Sequence, residues 1–139
     1  MGLTIDNVQA MLSDYFARTD EIVSAYVFGS LAKKDTSPTS DVDIALLIEE
    51  SALRKLDKLK TITDISRILK RDADVVYLNY ASPLLSHEVR KHGILIFDRD
   101  PKYRKSFEVL QRKLFQDYHH IHAIYMKGFK KRYGRQKDH

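Results

Sequence analysis

The chain has 139 residues, of which 43% are hydrophobic and 31% are charged, and its formal net charge is +5 at pH 7. This length gives room for one domain with a modest core, and the composition is that of an ordinary globular protein. Cysteine is absent, which excludes disulfides and thiolate metal sites and is compatible with a reducing compartment. No segment reaches the length of a membrane span, and the amino terminus lacks a signal-peptide pattern. We therefore expect a cytoplasmic protein.

The first elements lead to a loop suited to phosphate. Thr4–Arg18 has apolar residues at helical spacing, which predicts a helix that covers the core. Alternating apolar residues then predict a strand at about Ile22–Phe28, which ends at Gly29-Ser30. Gly29 has no Cβ, so a ligand can approach the backbone there and the following amides can point at anionic oxygen. Ser30 adds a hydroxyl that can donate to a phosphate.

The loop continues through Leu31–Lys34, which predicts a short helical turn whose amino end faces bound phosphates. Lys33 or Lys34 could supply a positive charge to a triphosphate, and a solvated loop lysine is an equal alternative for each. Thr36–Ser40 is rich in turn residues, with Pro38 as its rigid point.

Two carboxylates open the next strand. The apolar run from Val42 to Ile48 predicts a strand buried on both faces, and Asp41 and Asp43 lie at its start. Residues two apart on a strand point the same way, so both carboxylates can face one small cation. Magnesium prefers such oxygen ligands and leaves positions open for substrate phosphates. The pattern therefore predicts a metal and nucleotide site.

The middle of the chain predicts further alternation of helix and strand. Ser51–Leu69 has apolar residues at three- and four-residue steps, which predicts a second amphipathic helix. Val75–Leu78 predicts another strand, preceded by Asp72 and Asp74. Pro83 can start a short helix that Gly93 ends before a brief strand at Ile94–Phe97.

The chain closes with a long helix from about 102 to 133 and a flexible polar tail at 134–139, so that residues 1–133 form one domain. The helix has an apolar stripe made of Phe107, Leu110, Leu114, Tyr118, Ile121 and Tyr125. We expect its early turns to cover the sheet and its later turns to dock on a partner; the alternative is one more core layer. Five histidines of the carboxy-terminal half do not share helical faces, which favours surface residues over metal ligands: His87, His92, His119, His120 and His122.

Gly29-Ser30, a ten-residue spacer and then Asp41-x-Asp43 resemble the signature of the polymerase-β-like nucleotidyltransferase superfamily. In a chain this short they resemble its minimal nucleotidyltransferase (MNT) group, over about Ile22–Phe97. Related chains often follow Gly-Ser-x-Ala with Arg-Gly, whereas this chain has Lys33-Lys34 there. The resemblance also implies a third carboxylate on the strand after the second long helix. Asp74 matches that place, and Asp72 is the alternative.

The resemblance implies an α/β (α+β) fold with a small mixed sheet, expected here to have four strands with helices packed on one side, and the long carboxy-terminal helix. It implies Mg²⁺-dependent transfer of AMP from ATP, with two metal ions held by Asp41, Asp43 and Asp74. Gly29, Ser30 and Lys33 would bind the triphosphate. MNT proteins are paired as antitoxins with HEPN-domain ribonucleases, so the expected acceptor is a tyrosine hydroxyl of a cognate HEPN toxin, in a hetero-oligomer.

Two other classes of function remain open from the sequence. The protein could modify a small molecule, as aminoglycoside nucleotidyltransferases do, or bind and mask its partner without catalysis. Intact Ser30, Asp41 and Asp43 argue against the second class. Direct nucleic-acid binding through the basic carboxy-terminal helix is a weaker option that we do not expect, because no aromatic stacking platform is evident.

Overall fold

The computed structural model describes residues 3–33 and 41–137, with side chains described as far as position 128. Within these residues, five helices alternate with four strands. In order they are helix α1 Ile5–Arg18, strand β1 Ile22–Phe28, helix α2 Gly29–Ala32, strand β2 Val42–Ile48, helix α3 Lys58–Leu69, strand β3 Ala73–Tyr77, helix α4 Pro83–His92, strand β4 Ile94–Asp98 and helix α5 Pro101–Lys137.

The four strands form one mixed sheet in the order β3-β2-β1-β4. Strand β1 pairs antiparallel with both β2 and β4, and β2 pairs parallel with β3. The apolar run Val42–Ile48 therefore lies in the interior of the sheet, as its lack of alternation predicted. The predicted mixed sheet of four strands and the long carboxy-terminal helix are both confirmed.

Helices cover both faces of the sheet, so the expectation that they pack on one side is wrong. Helices α1 and α3 cover one face through residues such as Phe16 and Ile65. Helices α4 and α5 cover the other face, where Val89 and Phe107 pack against Tyr26 and Leu47. The physical reason lies in β1 and β2, which are apolar on both faces and would otherwise expose one of them to water.

The helix predicted over Ser51–Leu69 is two elements. A short 3₁₀ turn occupies Glu50–Ala52, and α3 begins only at Lys58. The side chain of Asp57 accepts hydrogen bonds from the amides of Leu59 and Lys60, which caps α3 and separates it from the turn. The apolar spacing continued across this break because Leu53 and Leu56 still pack against the core.

The first turns of α5 are fastened to the sheet by a polar network. Arg104 donates to Asp98 on β4 at 2.9 Å and to Glu108 at 3.1 Å, and Tyr26 on β1 donates to Glu108 at 2.5 Å. From Gln116 to Gly128 every side chain is exposed except the half-buried Met126. The predicted division of the helix into a covering part and an uncovered part is therefore confirmed.

Helix α5 also runs past its predicted end at Tyr133, because the backbone stays helical to Lys137. Of the segment predicted as a tail, positions 138–139 lie outside the described residues. None of the described helices combines the length and the apolar character needed to cross a membrane.

Candidate active site

Strand register brings two of the predicted carboxylates side by side. Asp43 lies on the interior strand β2, opposite Asp74 of the parallel strand β3 and opposite Phe28 of β1. Paired residues on neighbouring strands project from the same face of a sheet, so the two carboxylates share a face. Asp41 precedes Asp43 by two positions at the start of the same strand. The three carboxylates thus belong to one corner of the sheet.

That corner opens on the face covered by α4 and α5. The alternate residues Val42 and Ile44 belong to the opposite core layer, with α1 and α3. Ala45, the next residue after Asp43 on its own side, packs in the layer with α4 and α5. Because strand side chains alternate, Asp43 points towards the α4–α5 face.

The charges of this corner repel one another. Burial raises the pKa of Asp43 above its ordinary value, and the neighbouring carboxylates of Asp74 and Asp41 raise it further. Asp43 is half-buried, while Asp41 and Asp74 are exposed. A cation placed among them would relieve this repulsion, and carboxylate oxygens are the donors that Mg²⁺ prefers. The donor chemistry therefore fits magnesium.

The carboxylates do not form a closed metal cage by themselves. Within residues 3–33 and 41–137, no three His, Cys, Asp or Glu side chains are gathered closely enough to hold an ion. An open site of this kind leaves most coordination positions to a substrate and to water, as is usual for magnesium bound with phosphates.

Asp72 lies nearby but makes a different contribution. Its backbone carbonyl accepts a hydrogen bond from the amide of Val42 at 3.0 Å, which starts the pairing of β2 with β3. Asp72 precedes β3. Asp74 is the second residue of β3 and lies directly opposite Asp43. Among the charges that raise the pKa of Asp43 are those of Asp74 and Asp41, and not that of Asp72. This favours Asp74 as the third carboxylate.

The glycine of the Gly-Ser loop packs directly on the carboxylate corner. Gly29 has a φ of +70°, in the region that side chains with a Cβ rarely adopt. A Cβ built there would overlap the Oδ2 atom of Asp43 and lie 3.0 Å from its Cγ. The sequence predicted a glycine for the approach of a ligand; the structure adds the close approach of Asp43. Gly29 of the loop and the Asp43 carboxylate are therefore in direct contact.

Helix α2 starts at Gly29, two residues earlier than the predicted turn, and no side chain caps its amino end. Ser30 lies in its first turn and is half-buried. Lys33 ends it, and its Nζ lies 3.6 Å from Glu88 Oε1 on α4. The structure thus directs Lys33 towards α4, a contact that the sequence did not indicate. Lys34 and the turn at 36–40 lie outside the described residues.

The sequence also did not indicate that α4 lies on the same face of the sheet as the carboxylate corner. His87 stacks on Phe115 of α5, with ring centroids 3.9 Å apart and an angle of 3° between the rings. The basic run Arg90-Lys91-His92 has an ordinary explanation at a helix carboxy terminus, where positive charge complements the helix dipole. For that reason no sequence pattern indicates a site there.

Comparison with known proteins identifies the family. The family model described as "Polymerase beta, Nucleotidyltransferase" matches residues 11–102, more than half of the chain. The chain belongs to the polymerase beta nucleotidyltransferase family. The matched range of this nucleotidyltransferase contains the Gly-Ser loop and all three carboxylates. The membership expected from the spacing of these residues is confirmed. A search of curated protein sequences gave no significant match.

Solved structures resemble the nucleotidyltransferase over almost its whole length. A "toxin-antitoxin with AMP-PNP" is 22% identical with a TM-score of 0.69, covering 91% of this chain and 98% of that one. The "toxin-antitoxin MntA-HepT" is 20% identical with a TM-score of 0.62, covering 89% and 94%. A "tri-AMPylated Shewanella oneidensis HEPN toxin in complex with MNT antitoxin" is also 20% identical with a TM-score of 0.62, covering 89% and 93%. At these identities the likeness establishes the fold of the nucleotidyltransferase.

Proposed function

We propose that this nucleotidyltransferase transfers AMP from ATP to a tyrosine hydroxyl of a HEPN-domain toxin and so neutralises it. The observation that supports the chemistry best is the position of Asp43, between Asp74 on β3 and the Gly29 loop. Metal-binding carboxylates and a phosphate-binding loop are then in contact. Such an arrangement suits the movement of a phosphoryl group from a bound triphosphate.

The residues of the corner have separate tasks in this proposal. Asp41 and Asp43 would hold Mg²⁺ on the triphosphate, and Asp74 would complete a second metal position. Bound magnesium supplies charge neutralisation to the phosphate oxygens. The amides after Gly29 and the hydroxyl of Ser30 hold the outgoing phosphates, and Lys33 adds positive charge at the edge of the loop.

The transfer itself forms one bond and breaks one. The acceptor oxygen forms a bond to the α-phosphorus of ATP, and the bond from that phosphorus to the β-phosphate bridging oxygen breaks, releasing pyrophosphate. The hydroxyl proton leaves towards Asp74, an exposed carboxylate that can pass it to water. The tyrosine is then joined to AMP through a phosphodiester.

The acceptor is expected on a separate protein. The described residues form a single sheet with its covering helices. Structures similar in fold include toxin-antitoxin complexes, one with AMP-PNP and one with a tri-AMPylated HEPN toxin. These likenesses support a toxin as partner and an adenine nucleotide as donor.

The uncovered part of α5 is the surface that we assign to this partner. Exposed apolar side chains begin just before it with Leu110 and Leu114 and continue along it with Tyr118, Ile121, Ile124 and Tyr125, each between 43% and 66% exposed. Exposed apolar patches rimmed by charge are typical of protein interfaces. A partner docked on this part of α5 would be bound to the same molecule that holds ATP.

The test is an intact-mass measurement on the partner. The nucleotidyltransferase is incubated with Mg²⁺, ATP and the product of the neighbouring reading frame, which we expect to be a small helical protein with an Arg-x4-6-His motif. The partner should gain the mass of one or more AMP groups and lose its ribonuclease activity. Asp43→Asn should abolish both changes, whereas Asp64→Asn, which removes an ion pair with Arg67 on α3, on the opposite face of the sheet, should leave them intact.

Two outcomes would contradict the proposal. Neutralisation of the partner without any gain in mass would leave a non-catalytic binding antitoxin. Transfer of AMP to an aminoglycoside, with an unmodified partner, would leave a small-molecule nucleotidyltransferase.

A further inference from the structure

A cleft of about 210 Å³ lies between α4 and α5, and its lining is basic throughout. The lining residues are His87, Arg90 and Lys91 of α4 and Arg112 of α5. Three of the four carry a full positive charge at neutral pH. Like charges held together in this way repel one another, and an anion bound among them would remove that repulsion.

The acidic residues near the cleft have other partners. Glu88 faces Lys33 of the Gly-Ser loop at 3.6 Å. Glu108 accepts hydrogen bonds from Arg104 at 3.1 Å and from Tyr26 at 2.5 Å. Neither carboxylate lines the cleft. Among the described residues, no carboxylate lines the cleft, although Glu108 lies near enough to favour the charged form of Arg90.

The hydrogen bonding of the Arg90 guanidinium is incomplete among the described residues. Its Nη1 donates to Ser86 Oγ at 3.0 Å, but its Nη2 is buried and has no hydrogen-bond partner among the described residues. Burial lowers the pKa of Arg90, and the charge of Arg112 lowers it further. A buried guanidinium donor without a partner is costly, and native proteins usually satisfy such groups.

The ring of His87, which lines the cleft, packs on α5. The His87 ring lies flat on Phe115 of α5, with centroids 3.9 Å apart, and the His119 ring lies 6.0 Å from Phe115. This stacking holds α4 against α5 beside the three cations. The cleft is thus preorganised, which reduces the entropy lost when a ligand binds.

The cleft also lies on the same side of the sheet as the carboxylate corner. Helices α4 and α5 cover the face towards which Asp43 points, and the contact of Lys33 with Glu88 joins the Gly-Ser loop to α4. His87 precedes Glu88 directly in the sequence, and Lys91 follows it by three positions, on the neighbouring turn of the helix. The cleft and the Gly-Ser loop are therefore both in contact with α4.

We propose that this cleft binds a phosphate group, either as pyrophosphate or as the phosphate of a mononucleotide. Its volume admits a compact anion but is below the several hundred Å³ of typical pockets for larger ligands. Two arginines suit the planar, two-pronged recognition of phosphate oxygens, and three positive charges match a multiply charged anion better than a single carboxylate. This binding does not depend on the proposed AMP transfer.

Calorimetric titration with pyrophosphate and with AMP tests the proposal. The titrations are done on the full chain at low ionic strength with EDTA, so that metal-assisted binding at the carboxylate corner is removed. We expect saturable binding that weakens about tenfold or more in Arg112→Gln and in Lys91→Gln, since each variant loses a charged hydrogen-bond donor. Lys113→Gln, at the neighbouring exposed position of α5, should bind as the wild type does.

The location of the ligand is read independently from the ring signals of His87 and Phe115 in NMR spectra, which should shift on titration. Absence of binding, equal affinity in Arg112→Gln and wild type, or shifts confined to the Gly29-Ser30 loop would each overturn the proposal. A cleft that binds only a short RNA oligonucleotide, and neither pyrophosphate nor AMP, would overturn it as well. Binding of phosphate in the cleft without modification of the partner would contradict only the proposed function.

Discussion

Asp43 has opposite effects on stability and on activity. Its pKa in the folded protein is raised, mainly by burial and then by Asp74 and Asp41. The folded state therefore binds a proton more strongly than the unfolded state, so this contribution to stability is present at low pH and is lost as the pH rises through the folded pKa. At pH 7 the ionised carboxylate destabilises the fold.

We predict that Asp43→Asn raises the melting temperature at pH 7 in EDTA and lowers AMP transfer about a hundredfold or more, because it removes a charged metal ligand. The gain in melting temperature should shrink as the pH is lowered below the ordinary carboxyl value. Thermal melts at several pH values and a transfer assay provide the measurements. A variant less stable than the wild type at pH 7 would refute the electrostatic account.

Asp74 and Asp72 should differ in their importance for AMP transfer. Asp74 lies opposite Asp43 in the sheet, whereas Asp72 contributes a backbone carbonyl to strand pairing, which any residue can supply. Asp74→Asn should therefore reduce transfer by a large factor, and Asp72→Asn should reduce it little. Rates measured side by side at saturating Mg²⁺ and ATP decide between them, and the reverse order would move the third carboxylate to Asp72.

Gly29 should tolerate no side chain. Gly29→Ala places a methyl group against the Asp43 carboxylate at a backbone φ of +70°, which we expect to lower the free energy of unfolding by about 1–3 kcal/mol and to disturb transfer. Gly128→Ala is the matched control, since a Cβ there meets nothing within 4 Å and the position is helical. The control should stabilise the protein by up to about 1 kcal/mol. Urea unfolding compares the two, and equal stability of Gly29→Ala and wild type would argue against the tight contact.

Residue spacing alone was sufficient to single out the Gly-Ser loop and the Asp-x-Asp pair, because both lie on contiguous segments whose local chemistry is visible. The proximity of Asp74 to Asp43 needed strand register, which pairs the two residues on neighbouring strands. The pairing of Lys33 with Glu88 could not be predicted, because it depends on how α4 packs across the sheet. Local pattern carries no information about such distant contacts.

At the scale of elements, α5 separates into two parts. Tyr103 and Phe107 pack on the sheet, while the side chains from Gln116 to Gly128 are exposed apart from the half-buried Met126. Removing residues from Gln116 onward should leave a folded domain that still binds Mg²⁺-ATP but modifies and neutralises its partner poorly. Circular dichroism, nucleotide titration and the intact-mass assay test this together. Unfolding of the truncated chain, or unchanged modification, would remove the docking role from this helix.

The start of α5 should behave differently from its end. Glu108 joins Tyr26 on β1 to Arg104, which in turn binds Asp98 on β4, and both side chains of the Arg104–Glu108 pair are less than a fifth exposed. Glu108→Gln should cost about 2–3 kcal/mol of unfolding free energy, because Arg104 and Tyr26 lose a charged partner. Asp117→Asn, at an exposed position of the same helix, should be near neutral in the same denaturation experiment. A near-neutral Glu108→Gln would show that apolar contacts alone hold the helix.

Element boundaries followed the capping chemistry more closely than the apolar spacing. Thr4 and Ser82 cap α1 and α4 through their side chains, and both starts agree with the sequence within a residue. Asp57 caps α3 in the same way, but the apolar positions on either side of it continued one pattern and concealed the break. A cap inside a periodic stretch is therefore the stronger signal.

At the scale of the whole molecule, the composition of the strands explains why helices cover both faces of the sheet. Strand β1 has six consecutive buried residues, which requires cover on both faces, and two helices on each side provide it. The strand order β3-β2-β1-β4 could not be read from one sequence, because pairing partners far apart in the chain have no local signature. The order of the strands is determined only when the whole core is packed.

The sheet order has a consequence for synthesis on the ribosome. Strand β1 pairs on one side with β2, which follows closely, but its other neighbour β4 is encoded about 70 positions later. At ~5–20 residues per second, the nascent chain holds β1 with one open edge for several seconds. An open apolar edge is prone to pair with foreign strands. The carboxylate corner is complete in sequence at Asp74, yet the sheet that supports it closes only after β4 has been synthesised, so we expect the growing chain to gain transfer activity only once β4 has paired with β1.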